Sequence, residues 1–235
     1  MDFIKYLFGC FGITRNHEGN TARQTVAIVK LNGEIQYGLS YQEARIIIDI
    51  AFSLPNICAV LLIVDSCGGS PSETEMISNY LKEKKTFTKV PIYSFVMENG
   101  LSGGYWIACS GDKIFACSKL SMIGSISVKI EKVYNRIYEA ETNSCETIDD
   151  ETEERLINAV HKVFIENVVL SRGERLSRKG IEGKDPFDGD FWLAEEALKL
   201  GLIDGIQNTS SFIERNFPSN VLVVCVNDIF CREVV

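Results

Sequence analysis

Ser102 stands where an apolar run that predicts a buried strand gives way to a run that predicts a buried helix. The strand ends at residues 98–100, and Gly103 and Gly104 follow the serine before the apolar residues 105–108. A serine at the tip of such a turn can present its hydroxyl and a bare backbone N–H to the same bound atom. This is the arrangement of a serine nucleophile beside an oxyanion hole. The alternative is that Ser102 only caps the helix.

A second glycine turn, Gly68-Gly69, follows the continuous apolar run 59–64, which predicts a central parallel strand. In open α/β sheets the ligand crevice lies at the carboxyl ends of the strands, so both turns are expected at the same edge of the sheet. One turn would then offer the N–H of Gly68 or Gly69, and the other the N–H of Gly103, to one developing negative oxygen. The two turns together are a more specific pattern than either alone.

Strands and helices alternate through the first half of the chain, which predicts an α/β fold with a mostly parallel sheet flanked by helices. Ser40 and Glu43 have capping-box spacing and precede apolar residues at helical period. Further strands are predicted at residues 26–31, 113–117, 122–128, 202–204 and 221–226, and further helices at 71–85, at 194–200 and from residue 150 onward. Alternation along 122–128 predicts that Ser125, Ser127 and Lys129 share one face.

Composition predicts one globular domain, because 235 residues with 46% apolar and 24% charged side chains can build one substantial core. We place this domain at residues 25–235, after an N-terminal apolar segment and linker at 1–24. The net charge of −8 argues against nucleic acid as a partner. The eight cysteines are scattered, without a C-x-x-C pair or a histidine cluster, which predicts no zinc site and favours a reducing compartment. No metal or organic cofactor is expected.

The N-terminal residues 3–13 are apolar, but they are too few to span a membrane and contain Lys5 and two glycines. They also lack the charged start and the small-residue cleavage site of a signal peptide. The segment is expected to be a flexible end or an oligomer contact, or else to lie peripherally on a membrane surface or a partner. The expected location is therefore the cytoplasm, with membrane association through this segment as the alternative.

Several motifs, in the same order along the chain, resemble the signal peptide peptidase A family of serine proteases, within the Clp/crotonase superfamily. The matching stretches are residues 64–70 (Val-Asp-Ser-Cys-Gly-Gly-Ser), 101–108 (Leu-Ser-Gly-Gly-Tyr-Trp-Ile-Ala), 112–116, 123–128 and 192–204. The first resembles the family's Asn-Ser-Pro-Gly-Gly oxyanion turn, with Cys67 in place of the usual proline. The second resembles its nucleophile helix.

The resemblance implies a crotonase/Clp-like fold and a Ser–Lys protease. Ser102 lies at the position of the family nucleophile, and Ser125 at a second serine that helps to orient the catalytic lysine. Gly68 or Gly69, with Gly103, lie at the oxyanion hole. The implied reaction is hydrolysis of peptide bonds, in signal-peptide remnants or short apolar peptides, through a Ser102 acyl-enzyme. Family members assemble into rings, so a homo-oligomer is also implied.

The catalytic lysine is where the chain departs from the family. The family lysine lies shortly before a helix that begins Thr-Glu-Glu, here residues 152–154, yet residues 139–150 contain no lysine. The nearest upstream lysines are Lys129 and Lys132. Lys129 shares the predicted strand face of Ser125, but four residues at about 3.3 Å each place it roughly 13 Å further along. A lysine from a neighbouring subunit and loss of the base are the alternatives.

Three other functions also fit parts of the sequence. Residues 100–104 also fit G-x-S-x-G, the nucleophile elbow of α/β-hydrolases. That fold needs an acid and then a late histidine, whereas His17 precedes the serine and His161 lies on a predicted helix, where a solvated position is expected. A crotonase-like acyl-CoA enzyme shares both turns but usually works with glutamates, and Glu98 is the one acidic residue beside the turn. The third is a non-catalytic family member that binds peptides or builds an assembly.

Overall fold

The computed structural model describes residues 23–128, 149–177 and 185–233, and an eight-stranded sheet runs through them. The strands are β1 (Thr25–Asn32), β2 (Ile57–Ser66), β3 (Ile92–Leu101), β4 (Lys113–Ala116), β5 (Met122–Gly124), β6 (Phe191–Leu193), β7 (Gly205–Ile206) and β8 (Leu222–Cys225). The helices are α1 (Tyr41–Ser53), α2 (Pro71–Thr88), α3 (Gly103–Ala108), α4 (Asp150–Arg172), α5 (Ala194–Lys199), α6 (Thr209–Asn216) and α7 (Val226–Glu233), with a 3₁₀ turn at Gly173–Arg175. The predicted mixed α/β fold is confirmed.

The strand order is β6-β5-β3-β2-β1-β8, with β4 pairing both β3 and β7. All pairs are parallel except β5 with β6. The apolar run of β2 lies between β1 and β3 with both faces covered, as a continuous β-branched run predicts. Because β2 and β3 are parallel neighbours, the turns that follow them emerge at the same edge of the sheet.

The two faces of the sheet carry unequal cores. The larger core contains the buried faces of α1 to α5 together with alternate residues of the central strands. The smaller core, on the other face, is covered by α6, whose Phe212 packs against the rings of Phe95 and Phe115 at centroid distances of 5.3 and 5.4 Å. The candidate site residues lie with α2, α3 and α4, on the face of the larger core.

Two short elements differ from the sequence prediction, and a third agrees with it. The predicted strand 122–128 ends at Gly124, and the predicted strand 202–204 is replaced by β7 at Gly205–Ile206. The strand predicted at 221–226 is present as β8, which pairs in parallel with β1 at the edge of the sheet. Within the three described ranges, no helix combines the length and the apolar character that crossing a membrane requires.

A buried ion pair fixes the end of α4 to the sheet. The Arg172 side chain is fully buried, and it donates to Asp204 Oδ2 at 2.9 Å and to the Gly201 carbonyl at 2.7 Å. Asp204 also accepts from the Ile114 backbone N–H at 2.8 Å and from Arg175 at 3.0 Å. Burial opposes ionisation of Asp204, but the hydrogen bonds from Arg172 and from the Ile114 backbone outweigh it and lower the pKa of this carboxyl.

Asp204→Asn is expected to lower the free energy of unfolding by about 3–5 kcal/mol at pH 7, because it leaves the Arg172 charge buried without its partner. The native pKa of Asp204 lies below its unfolded value, so its contribution is present above about pH 4 and is lost as the pH falls through the native pKa. Urea unfolding of wild type and variant at pH 7 and at pH 3 should therefore show a difference that narrows in acid. Glu195→Gln, which breaks the exposed Lys119–Glu195 pair, is the control and should change neither curve. If wild type and Asp204→Asn differ in stability by the same amount at both pH values, the Asp204 carboxylate does not stabilise the fold in this way.

Candidate active site

Ser102 joins β3 to α3 in a backbone conformation that is unusual for a residue with a side chain. Its φ is 50° and its ψ −123°, and its N–H donates to the Gly124 carbonyl at 2.8 Å. It occupies the N-cap position of α3, yet its side chain makes no capping hydrogen bond. The hydroxyl is therefore not used to satisfy the helix end, which leaves the capping alternative without its defining contact.

The two glycine turns meet at Ser102. A Cβ added to Gly68 would lie 2.8 Å from Ser102 Cβ and 3.0 Å from both Ser102 Oγ and the Gly103 nitrogen. Gly68 also has a φ of 108°, which disfavours any side chain. The sequence prediction that both turns lie at one edge, around one serine, therefore matches the geometry.

Hydrogen bonds distinguish the two glycines of the Gly68-Gly69 turn. The Gly68 N–H donates to Ser66 Oγ at 3.1 Å and is already used. Gly69 forms a parallel bridge with Ile35, in which the Gly68 carbonyl accepts from the Ile35 N–H and the Ser70 N–H donates to the Ile35 carbonyl. In this pattern the N–H of Gly69 itself points away from Ile35. Gly69 is therefore the better donor candidate in its turn, beside the N–H of Gly103, which is the first residue of α3 and has no intrahelical acceptor.

Ser125 lies beside Ser102, but not in the way predicted from the alternation along 122–128. Leu101 pairs with Gly124, so the two serines are the next residues along neighbouring strands. Gly124 has a φ of 108° and Ser125 a φ of 50°, and these values end the pleat. The prediction that Ser125 and Ser127 share a continuous strand face is therefore wrong. Lys129 lies outside the described residues, as do Lys132 and residues 139–148.

A small cavity of about 70 Å³ opens beside Ser102. Trp106 and Phe164 stack at its wall, with ring centroids 5.0 Å apart and planes 18° apart. Its other lining residues include Gly69, Pro71, Thr74, Gly103, Ser127, Val128 and Val160. Polar and apolar groups share the lining about equally, because the hydroxyls of Ser102, Thr74 and Ser127 lie beside the apolar side chains of the wall. The space suits one small side chain.

The sequence prediction missed Thr74 and Trp106 as cavity residues. The sequence position of each residue could have predicted its place in the cavity. Thr74 lies in the first turn of the helix that follows the Gly68-Gly69 turn, and Trp106 lies four residues after Ser102, on the same side of a helix. Phe164 was predicted on the buried face of α4, but its meeting with Trp106 is a tertiary contact that spacing does not reveal.

Lys82 is a partly buried lysine, but it lies away from Ser102. Burial lowers the pKa of Lys82. Its Nζ lies 2.8 Å from the Asn167 side-chain oxygen, which also accepts from Trp106 Nε1 at 2.7 Å. On α2, Lys82 is eight residues beyond the cavity residue Thr74, about 12 Å along the helix axis. Its amine is therefore bound to Asn167 and is not placed to take a proton from Ser102.

His161 is partly buried and hydrogen-bonded, so the expectation of a solvated helix residue is wrong. Its Nε2 lies 3.0 Å from the Ile126 carbonyl oxygen and 3.1 Å from that of Phe187. Both oxygens only accept, so Nε2 must carry a hydrogen. This nitrogen cannot accept the Ser102 proton, which removes support from the α/β-hydrolase alternative.

Comparison with known proteins adds evidence of a different kind. No protein-family model matches the chain. The chain is 25% identical over 215 residues to Protease 4 of Haemophilus influenzae, a match that covers 81% of this chain and 34% of that protein. It is 28% identical over 162 residues to a putative signal peptide peptidase SppA of Enterococcus faecium, covering 63% and 46%. These distant relatives bear the names of the signal peptide peptidase A family and support the resemblance that the sequence motifs indicate.

A solved structure agrees with this chain in fold. It is a serine-to-alanine mutant of 1510-N, a membrane-bound stomatin-specific protease. The TM-score is 0.56 at 18% identity, and the match covers 86% of this chain and 97% of that one. At this identity the likeness establishes the fold alone, which is the Clp/crotonase-like fold that the sequence motifs implied.

Another relative of this chain carries a different name. The chain is 29% identical over 223 residues to the Na⁺/H⁺ antiporter NhaA of Brucella abortus, covering 83% of this chain but 30% of that protein. Most of the protein that bears this name lies outside the match. The chain likewise spans less than half the length of both protease-named relatives, at 34% and 46%.

Proposed function

We propose that the chain is a serine peptidase that hydrolyses peptide bonds through an acyl-enzyme on Ser102. One observation carries the proposal: the Ser102 hydroxyl is not used as a helix cap and lies against Gly68 and the Gly103 N–H, where only a glycine leaves room. A substrate carbonyl seated there would meet a nucleophile and two backbone donors at once. The protease names of two relatives support the same reaction class.

The proposed hydrolysis needs one group that accepts a proton and later returns it. Ser102 Oγ forms a bond to the peptide carbonyl carbon, and its proton passes to an unprotonated lysine amine. The N–H groups of Gly69 and Gly103 stabilise the negative oxygen of the tetrahedral intermediate. When the C–N bond breaks, the lysine returns the proton to the departing amine, and water then hydrolyses the Ser102 ester by the reverse sequence.

We propose Lys129 as the general base, oriented by Ser125. The separation of about 13 Å expected for a straight strand no longer applies, because the chain turns at Ser125. A lysine amine becomes a base near neutral pH only when its pKa is lowered, as burial in an apolar site would do. The alternative is a lysine from a neighbouring subunit, which fits the proposal that this protein works as a homo-oligomer.

The cavity beside Ser102 supports short apolar peptides, including signal-peptide remnants, as substrates. Its wall of Trp106 and Phe164 would bury an apolar side chain next to the bond to be cut, and a charged side chain would lose its hydration there. The proposed peripheral membrane contact of residues 3–13 would bring such peptides close. That segment lies outside the described residues.

The proposal is tested by treating the full chain with a fluorophosphonate and locating the adduct by peptide mass mapping. We expect one phosphonylated serine, Ser102, because attack on phosphorus with loss of fluoride needs the same activated oxygen as attack on a carbonyl. A folded, assembled sample that takes up no label would overturn the proposal. It would favour the non-catalytic peptide-binding alternative, which rests on the absence of lysine from residues 139–150. In the same assay, labelling at the wild-type rate in both Lys129→Ala and Lys132→Ala would exclude these two lysines as the base.

A further inference from the structure

His161 connects α4 to two backbone segments beside Ser102. Its Nε2 lies 3.0 Å from the Ile126 oxygen and 3.1 Å from the Phe187 oxygen. Because two carbonyls share this nitrogen, it is a bifurcated donor. The neutral Nε2–H ring and the imidazolium both supply that hydrogen, so the contact persists whichever form the ring takes. His161 therefore holds the backbone at Ile126 and Phe187 in either protonation form.

One of these carbonyls lies in the Ser125 turn, and the other lies in the loop that is hydrogen-bonded to that turn. Ile126 is the residue between Ser125 and Ser127. Phe187 lies in the loop that leads to Asp190, whose carbonyl accepts from the Ser125 N–H at 2.8 Å. His161 therefore holds the turn directly through Ile126 and holds its neighbouring loop through Phe187.

The Ser125 turn needs such support. A residue with a side chain in the left-handed region costs about 1–3 kcal/mol and persists only where its surroundings hold it. Ser125 has a φ of 50° and follows Gly124 at 108°. Within the turn, the Ser127 N–H donates to the Ser125 carbonyl at 2.9 Å. Among the hydrogen bonds of the described ranges, that of His161 is the one by which a side chain holds the backbone of residues 125–127.

We propose that His161 is a positioning residue of the candidate active site, which holds Ser125 and Ser127 in place relative to Ser102. The inference rests on the proposed function, since it assigns His161 a part in that same site. Ser125 would lose its alignment with the base, and Ser127 its place in the cavity wall, if the turn relaxed. His161 acts through these residues and takes no proton from Ser102.

The test compares two substitutions of His161 in the full chain, with the neighbouring exposed residue as control. His161→Leu removes the donor, while His161→Gln keeps an amide N–H at a similar reach and cannot titrate. Lys162→Ala changes an exposed side chain one position along α4. The readouts are the rate of fluorophosphonate labelling at Ser102 and the hydrogen exchange of the Ser125 and Ser127 amides.

His161→Leu is expected to slow labelling roughly 10- to 100-fold, because a small misplacement of catalytic groups has that effect. The amides of Ser125 and Ser127 should exchange at least about tenfold faster, because the turn opens more often. His161→Gln should restore most of both properties and keep the wild-type pH profile of labelling, which a general base could not do. Lys162→Ala should match wild type.

Two results would overturn the inference: unchanged exchange at Ser125 and Ser127 in a folded His161→Leu variant, or faster exchange with labelling at the wild-type rate. If the leucine variant does not fold, ¹⁵N spectra of wild-type His161 still decide, because a neutral ring protonated at Nδ1 contradicts the shared Nε2–H. An unlabelled wild-type protein would instead overturn the serine peptidase, and the exchange experiment would still show whether His161 holds the turn.

Discussion

Ser102→Ala is expected to lower the rate of peptide hydrolysis and of fluorophosphonate labelling at least ~10³-fold, since removal of a nucleophilic serine has effects of that size or larger in serine hydrolases. The substitution removes one oxygen and leaves the Gly68 contact and the Gly103 N–H in place. Because the hydroxyl makes no capping hydrogen bond, the thermal midpoint should remain close to that of wild type. If Ser102 only capped α3, the alanine variant would instead keep its labelling and hydrolysis rates and would have a lower thermal midpoint.

Ser102→Gly separates function from stability more sharply. A side chain at φ 50° and ψ −123° is strained, and glycine relieves that strain. The glycine variant is therefore expected to be as inactive as the alanine variant, yet more stable to unfolding by ~1 kcal/mol after the entropy cost of glycine is included. Ser210→Gly is the matched control, because Ser210 is exposed in the helical backbone of α6, where glycine should destabilise.

Urea unfolding and labelling on the same samples would check both parts. If Ser102→Ala still takes up label at the wild-type rate, another residue is the nucleophile. If Ser102→Gly is less stable than wild type by the same amount as Ser210→Gly, the turn is not strained. In that case the backbone geometry offers no reason to regard Ser102 as a special position.

The sequence predicted the parts of the site that depend on chain direction. Continuous apolar runs at residues 59–64 and 92–97 identified two buried parallel strands, and parallel strands place their following turns at one edge. That simple rule brings Gly68 and Ser102 together from 34 positions apart in the sequence. The family resemblance then gave Ser125 its place beside Ser102, which the pairing of Leu101 with Gly124 matches.

The parts that were wrong or missed depend on backbone angles and on contacts between distant elements. Alternation along residues 122–128 predicted a strand, but the positive φ values of Gly124 and Ser125 end it, and hydrophobic period carries no information on φ. His161 was expected in solvent because its helix face was judged from its own helix. Its partners, Ile126 and Phe187, come from two other segments.

Gly68→Ala is the second substitution with a large expected effect. The new Cβ would lie 2.8 Å from Ser102 Cβ and 3.0 Å from Ser102 Oγ, closer than side-chain atoms are normally found. Either the Gly68 turn or Ser102 must move, and the new methyl group would also lie 3.0 Å from the Gly103 nitrogen, where the carbonyl oxygen of a substrate is proposed to bind. Labelling and hydrolysis should fall by roughly 10²- to 10³-fold, the cost of losing one oxyanion donor.

The chain offers a matched control for the backbone strain that this substitution also introduces. Gly173 ends α4 with a φ of 53° and a ψ of −131°, and a Cβ there would meet no atom within 4 Å. Gly173→Ala therefore adds strain of the same kind without touching Ser102. Both alanine variants should be less stable than wild type, yet only Gly68→Ala should lose labelling. If the two variants label equally fast, the closeness of Gly68 to Ser102 has no part in catalysis, and the oxyanion site must be sought elsewhere along the sheet edge.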